Sequence, residues 1–348
     1  MRQGQSRRHK APVAPTALQG LLKRWRAFWL FHRGVTALWR GRYRQAAQLL
    51  ERFLAAVGDD AFARMHLAWA HWHLKHVGTV RLHAVRATEL MPHHAPAWVF
   101  AGKLMALRDK WDDAERFLRH ALHLQPDNLV AASWLALVLL QTRREREGIG
   151  LLQQFPVADD PYLQARLVLH LERLVHERGE RPPLPPAQLP RWLFVPAVRQ
   201  LVGWLLRWRG ERLLEDGAFD TAAQWLNAAV QLRPSDVWAK VLGAIALLEG
   251  GHWTQAEQLL AQVPETLVER RIALGALRVR QRQLPEGVAL FQDADLTHPL
   301  VRYYIGLARY FQGETERACI AYLEPLYRDD PSALRVRLQE LLRWLTTS

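Results

Sequence analysis

Histidine offers the first candidate chemistry in this 348-residue chain. The stretch "MHLAWAHWHLKH" (residues 65–76) places His66, His71, His73 and His76 in one helical run. His73 and His76 stand three apart and share a face, His66 lies two turns away, and His83 falls on the next helix. Transition metals accept imidazoles so arranged. No cysteine or carboxylate completes a ligand set, however, so the cluster is read as structural. Metal binding is the alternative, and no cofactor is expected. Paired carboxylates occur at Asp59–Asp60, Asp112–Asp113, Asp159–Asp160 and Asp329–Asp330. All four pairs fall at predicted helix corners, where Asp caps a helix and meets the positive end of its dipole. Nucleophiles are scarce. Ser6 and Ser348 lie near the chain's ends, Ser133 lies inside a predicted helix, and Ser235 and Ser332 each follow a corner proline, where serine caps the next helix. None has a nucleophile-elbow setting. Gly250–Gly251 reads as a turn rather than a phosphate loop, and Cys319, the single cysteine, as a small buried hydrophobe. No residue is assigned a catalytic role, and an enzyme is not expected.

The bulk properties point toward an anionic contact. Composition is that of an ordinary globular protein, 49% hydrophobic and 23% charged. Net charge is +13, and residues 1–50 alone contain 11 Lys or Arg and no Asp or Glu. A near-neutral body with a basic arm suits lipid headgroups, nucleic acid or an acidic protein face. The longest apolar run, "LVAASWLALVLL" (residues 129–140), falls short of the roughly 20 residues of a membrane span. The basic start leads into "LLKRWRAFWLFHRG", whose apolar stretches are too short for a secretory signal. One cysteine excludes an intrachain disulfide, so a cytoplasmic location is expected, with a peripheral place on the cytoplasmic face of a membrane as the variant.

The elements that position these groups recur with a period of 34 residues. "HLQPDNLVAASWLALVLL" (residues 123–140) and "QLRPSDVWAKVLGAIALL" (residues 231–248) share one layout, helix to corner to helix. Residues 95–128 carry Trp98, Ala101, Gly102, Trp111, Ala114, Ala121 and Pro126. Residues 203–236 carry Gly210, Gly217, Phe219, Ala222, Ala229 and Pro234 in corresponding slots. Weaker copies cover residues 27–60, 61–94, 237–264 and 299–331, with small residues Ala46, Ala256 and Ala318 in the second helix. Small residues let helices approach closely, an aromatic after the turn fills the space between them, and proline ends the unit.

These landmarks resemble the tetratricopeptide repeat (TPR), over roughly residues 27–331. The resemblance implies an all-α fold, a right-handed superhelix of about 8–9 helical hairpins, with residues 332–345 as a C-terminal capping helix. His71 then occupies a slot where the repeat buries a bulky ring. Five prolines between Pro182 and Pro190 cannot be helical. The expected organisation is therefore a basic arm over residues 1–26, helical from about residue 15; an N-terminal array over 27–178; a linker over 179–190; and a C-terminal array over 191–348.

In such a fold the first helix of each unit lines a concave face. Here that face carries Phe28, Phe31, Val35, Leu38 and Trp39, then Phe62, Met65, Trp69 and Trp72, where water-facing polar residues belong. Three covers are open: residues 15–25 folding back, a partner's peptide or amphipathic helix, or a membrane surface. A second basic-aromatic stretch, residues 191–212, is read as core, with Trp204 and Trp208 packed inward; an interfacial helix is the alternative. The leading expectation is a non-enzymatic scaffold that takes a protein partner in this groove. The alternative is a peripheral assembly factor held to anionic lipid through Arg7, Arg8, Lys10, Lys23, Arg24 and Arg26. Nucleic-acid binding stands third, because no nucleic-acid module accompanies the arm.

Overall fold

The structure is a computed structural model that describes residues 15–292 and 294–346, and all regular structure among them is helical. The chain divides into two compact units between Gly148 and Ile149. The first holds α1 (Pro15–Trp39), α2 (Tyr43–Val57), α3 (Ala61–His73), α4 (Val77–Leu90), α5 (Ala95–Ala106), α6 (Trp111–Leu124) and α7 (Leu129–Gln141), and the division falls inside α8 (Glu145–Gln154). The second holds α9 (Pro161–Arg178), α10 (Pro196–Glu215), α11 (Phe219–Leu232), α12 (Val237–Gly250), α13 (Trp253–Leu260), α14 (Val268–Arg280), α15 (Leu284–Leu290), α16 (Pro299–Phe311), α17 (Glu316–Asp329) and α18 (Pro331–Thr346). Helices pair as α1–α2, α3–α4, α5–α6, α10–α11, α12–α13, α14–α15 and α16–α17, and successive first helices α1, α3, α5 and α7 are neighbours. The expected all-helical repeat fold is what the chain adopts.

The backbone carries the period directly. Left-handed residues turn the corner inside each pair at Gly41, Lys75, Asp109 and Arg143, then at Gly217, Gly251, Arg282 and Gly313. The first four are 34 residues apart. Lys75, Asp109 and Arg143 hold that geometry without glycine, at a cost of about 1 kcal/mol or more each. Close crossings recur in register: a Cβ on Gly34, Gly102 or Gly210 would lie 2.9, 2.6 or 2.6 Å from Leu50, Leu118 or Leu226. Ala46, Ala114, Ala222 and Ala256 are fully buried in the second helices. The last unit departs from this register, since Ala318 is exposed and its neighbour Cys319 is buried instead.

Several expectations change. The division lies 30 residues ahead of the proline seam. Residues 179–190 do not link two arrays, because they form an extended strap inside the second unit. Arg181 donates its N–H to the Gly251 carbonyl (2.9 Å) and reaches Asp220 (2.9 Å), while Leu184 and Gln255 exchange two hydrogen bonds. The helix from residue 15 runs unbroken to Trp39, so residues 15–25 extend α1 and do not fold back over the groove. Residues 1–14 of the basic arm lie outside the described residues. The caps of α12 and α18 are also reassigned. Asp236 accepts from the Ala239 N–H (3.1 Å), and Asp330 accepts from the N–H and hydroxyl of Ser332, so the acid and not the neighbouring serine does the capping. Trp204 and Trp208 are about half exposed, not core, because the elements packed on α10 among the described residues, α11, α12 and the short 3-10 helix Arg191–Phe194, leave both rings half in water.

Candidate partner-binding groove

Two arrangements stand out, one per unit, and they treat the first-helix face in opposite ways. In the first unit the face is open. Phe28 and Phe62 are 64% and 50% exposed. Together with half-buried Phe31, Phe53 and His66 they border a hollow of about 470 Å³ whose rim includes Asp60. Phe31 meets Phe53 at 5.3 Å and His66 edge-on at 5.7 Å. One turn further along α3, Trp69 stacks on Trp72 (5.1 Å), His73 stands edge-on to both, and Tyr43 lies flat on His73 (4.0 Å). Phe100 of α5 approaches Trp69 at 6.4 Å.

The nine residues expected to line the groove therefore separate. Phe28, Phe31 and Phe62 converge on one hollow, whereas Trp69 and Trp72 form a ring stack. Val35 is half-buried against the core of the first repeat, and Met65 is half-buried on α3. Leu38 is buried in that core and is unavailable to a partner, because its face of α1 turns onto α2 and α3. Trp39 is 81% exposed at the end of α1. Phe53 and Asp60 were missed by sequence reasoning, because they come from a second helix and a corner. Of the six expected lipid-contact cations, Arg7, Arg8 and Lys10 lie outside the described residues, and Lys23, Arg24 and Arg26 are exposed on α1.

The histidines resolve into packing groups. His71 is buried, its Nδ1 3.1 Å from that of His76, and it stacks on His83 at 5.4 Å. Burial, with Arg64 3.0 Å away, pushes the His83 pKa down to about 4; burial and His76 lower that of His71 as well. Among the described residues no three His, Cys, Asp or Glu side chains converge as a metal site. Cys319 is buried, and burial raises its thiol to about 11. The acid pairs serve corners: Asp60 caps α3 and Asp160 caps α9, while Asp59 holds Arg64 and Arg86, and Asp113 holds Arg81 and Arg116.

In the second unit the face is filled by the chain itself. Helices α9 and α18 lie side by side, and their side chains meet the ends of α12 and α14 and the middle of α16. At their meeting point Glu172, fully buried, accepts from Arg280, from Arg337 (2.6 Å) and from Tyr303. Arg337 also reaches Glu249 (2.6 Å), and Tyr304 donates to Glu249 (2.6 Å). Burial alone would raise the Glu172 carboxyl, but Arg280 and Arg337 beside it override this and hold it at about 2. Val336 and Trp344 of α18 seat against Gly217 and Gly251, the left-handed corners of two pairs. Residues 332–345 are thus an internal ligand of their own unit and more than an end cap.

Two stretches, residues 31–77 and 213–278, match family models of the tetratricopeptide repeat, one in each unit. The chain carries tetratricopeptide repeats. Solved structures with a similar helical arrangement include a mutant of MamA (22% identity over 43% of this chain and 83% of that one, TM-score 0.36) and a thermophilic TPR protein of Thermus thermophilus (18%, 64% and 99%, 0.35). PilF of Pseudomonas aeruginosa is a third (14%, 84% and 99%, 0.36). These similarities are too low to carry over any partner or residue. No curated protein matches the sequence. Tetratricopeptide repeats are generally non-enzymatic and bind other proteins, so the chain is a protein-interaction scaffold at that level of description. No helix among the described residues is long and apolar enough to cross a membrane.

Proposed function

We propose that this tetratricopeptide scaffold is non-enzymatic and takes an amphipathic helix or peptide of a partner protein in the open face of its first unit. The observation that carries this reading is the hollow at Phe28, Phe31 and Phe62. Phe31 is held by Phe53 and His66, Phe28 and Phe62 stay exposed beside it, and the N-terminal part of α1 runs straight on without folding over them. Clustered aromatic anchors in a preformed recess are what a helix-in-groove contact uses. The second unit supports the same reading by contrast, since there the corresponding face already holds a helix.

A photo-crosslinking amino acid at position 62 tests the proposal. It should capture a discrete protein, and Phe62→Ala should weaken binding of that protein by about 2 kcal/mol, a hot-spot loss. The folded chain should lose less than about 1 kcal/mol, because the ring is half in water. Full binding by a stably folded Phe62→Ala protein would sink the groove assignment.

A further inference from the structure

The face of α1 turned away from the groove carries a different chemistry. Leu22, Trp25 and Trp29 stand at i, i+3 and i+7, so one side of the helix presents all three, and they are 51%, 61% and 45% exposed. The two indole rings lie 6.2 Å apart, and the Arg33 guanidinium sits 5.0 Å over Trp29. Beside them, between α1 and the start of α2, is a cleft of about 480 Å³ bordered by Trp29, His32, Arg33, Thr36, Arg40 and Arg42. Among the described residues neither Arg33, Arg40 nor Arg42 has a carboxylate partner. They share this with neighbours such as Arg44 and Arg52, but these three converge on one cleft. Arg64, Arg81, Arg86, Arg119 and Arg144 all hold Asp or Glu. The cause lies in the sequence, which has no acid in its first 50 residues.

We propose that this outer face of α1, with the Arg33–Arg40–Arg42 cleft, seats the phosphate-bearing surface of an anionic phospholipid bilayer. Guanidinium groups pair with phosphate through two parallel N–H bonds, and three of them without internal partners leave that capacity unused. Tryptophan rings settle at headgroup depth, with leucine beyond them toward the acyl chains. A soluble polyanion would satisfy the arginines but leave Leu22 and Trp25 in water, and a second copy of this face would set cation against cation. The bilayer interface answers both needs. Phe28 stands between this cleft and the groove and borders both, but Leu22, Trp25 and Trp29 project from the opposite flank of α1 to Phe31, so the variants tested leave the groove intact.

The second unit supplies a control. Leu201, Trp204 and Trp208 repeat the spacing on α10 and are exposed. Of the four arginines on α10, Arg207 is held by Asp236 and Arg212 by Glu215, and among the described residues Arg199 and Arg209 border no cleft comparable to that at Arg33, Arg40 and Arg42. Flotation of the full chain with phosphatidylcholine vesicles, with and without phosphatidylserine, tests the proposal. The chain should float only with the anionic vesicles. Arg33→Gln/Arg40→Gln/Arg42→Gln should weaken partition about 100-fold, near fivefold per cation removed. Trp25→Ser/Trp29→Ser should weaken it at least tenfold, and Trp204→Ser/Trp208→Ser should change it less than twofold. All these side chains are surface-exposed or line an open cleft, and unchanged circular dichroism checks the fold. Soluble glycerophosphoserine should compete poorly; full competition would mean a free-phosphate site and overturn the bilayer assignment. So would failure to float, an unaltered triple variant, equal loss from the α10 pair, or capture of an acidic amphipathic peptide without vesicle binding.

Discussion

Replacing Glu172 by Gln should loosen the second unit and leave the first intact. In the folded chain Glu172 is fully buried and takes bonds from Arg280, Arg337 and Tyr303. A glutamine keeps one acceptor oxygen but turns an N–H₂ toward an arginine that only donates, and it removes one of the two carboxylates that balance the buried guanidinium groups of Arg280 and Arg337. Breaking a buried pair by removing one partner costs about 3–5 kcal/mol. The titration of the group gives a similar figure. Its carboxyl is held at about 2 in the folded protein against an ordinary 4.5, which at about 1.4 kcal/mol per pH unit comes to about 3 kcal/mol. The sign follows from the lowered value: the stabilisation is complete above about pH 4.5 and fades as pH falls toward 2, where the folded state must also take up the proton. Urea unfolding gives the loss. Hydrogen exchange should place it in α9, α14 and α18, with α3 and α5 as internal references. The difference between Glu172→Gln and the parent should shrink steadily from pH 4.5 downward. A loss under about 1 kcal/mol, or equal loss of protection in α3 and α5, would refute the reasoning.

Gly102→Leu should lower the melting temperature of the first unit through a loss of about 1–3 kcal/mol or more, since even a Cβ there would lie 2.6 Å from Leu118; melts that match the parent would mean the crossing is looser than it looks. The first unit should also weaken between about pH 6.5 and 4. His83 is held neutral down to about 4 and His71 is lowered in the same direction, so the unfolded chain takes up protons first. A His71→Phe/His83→Phe protein should show a flatter stability profile over that range, by urea unfolding at each pH.

The repeat frame was legible because its causes are local. A left-handed corner, a small residue at the crossing and a proline at the exit each need only a few neighbouring residues. Their recurrence at 34-residue intervals is confirmed by the corners at residues 41, 75, 109 and 143. The exposed rings of Phe28 and Phe62 were legible for a related reason, as apolar residues on a helix face that repeat geometry directs outward. Other readings failed where the deciding partner is distant. Glu172 is 108 residues from Arg280 and 165 from Arg337, and each alone resembles an ordinary charge on a helix surface. The proline strap looks like a linker until Gly251 and Gln255 appear beside it. Trp204 and Trp208 have core composition, but the helices packed on α10 leave them half exposed.

The contrast between the units follows from one requirement, that the apolar face of a stacked helix pair be covered. The second unit meets it from within. Helices α9 and α18 cover the ends of α12 and α14 and the middle of α16, and a balanced cluster of two acids, two arginines and two tyrosines lets charged helices occupy that interior. Such a cluster contributes little net stability against a well-packed apolar core, yet removal of any one member is costly. It therefore fixes which helix lies there and in what register, and an incoming helix would have to match Arg337 opposite Glu172 and Glu249 together. The first unit has no such internal helix among the described residues, its rings stay open to solvent, and under the proposed function recognition would rest on Phe28, Phe31 and Phe62.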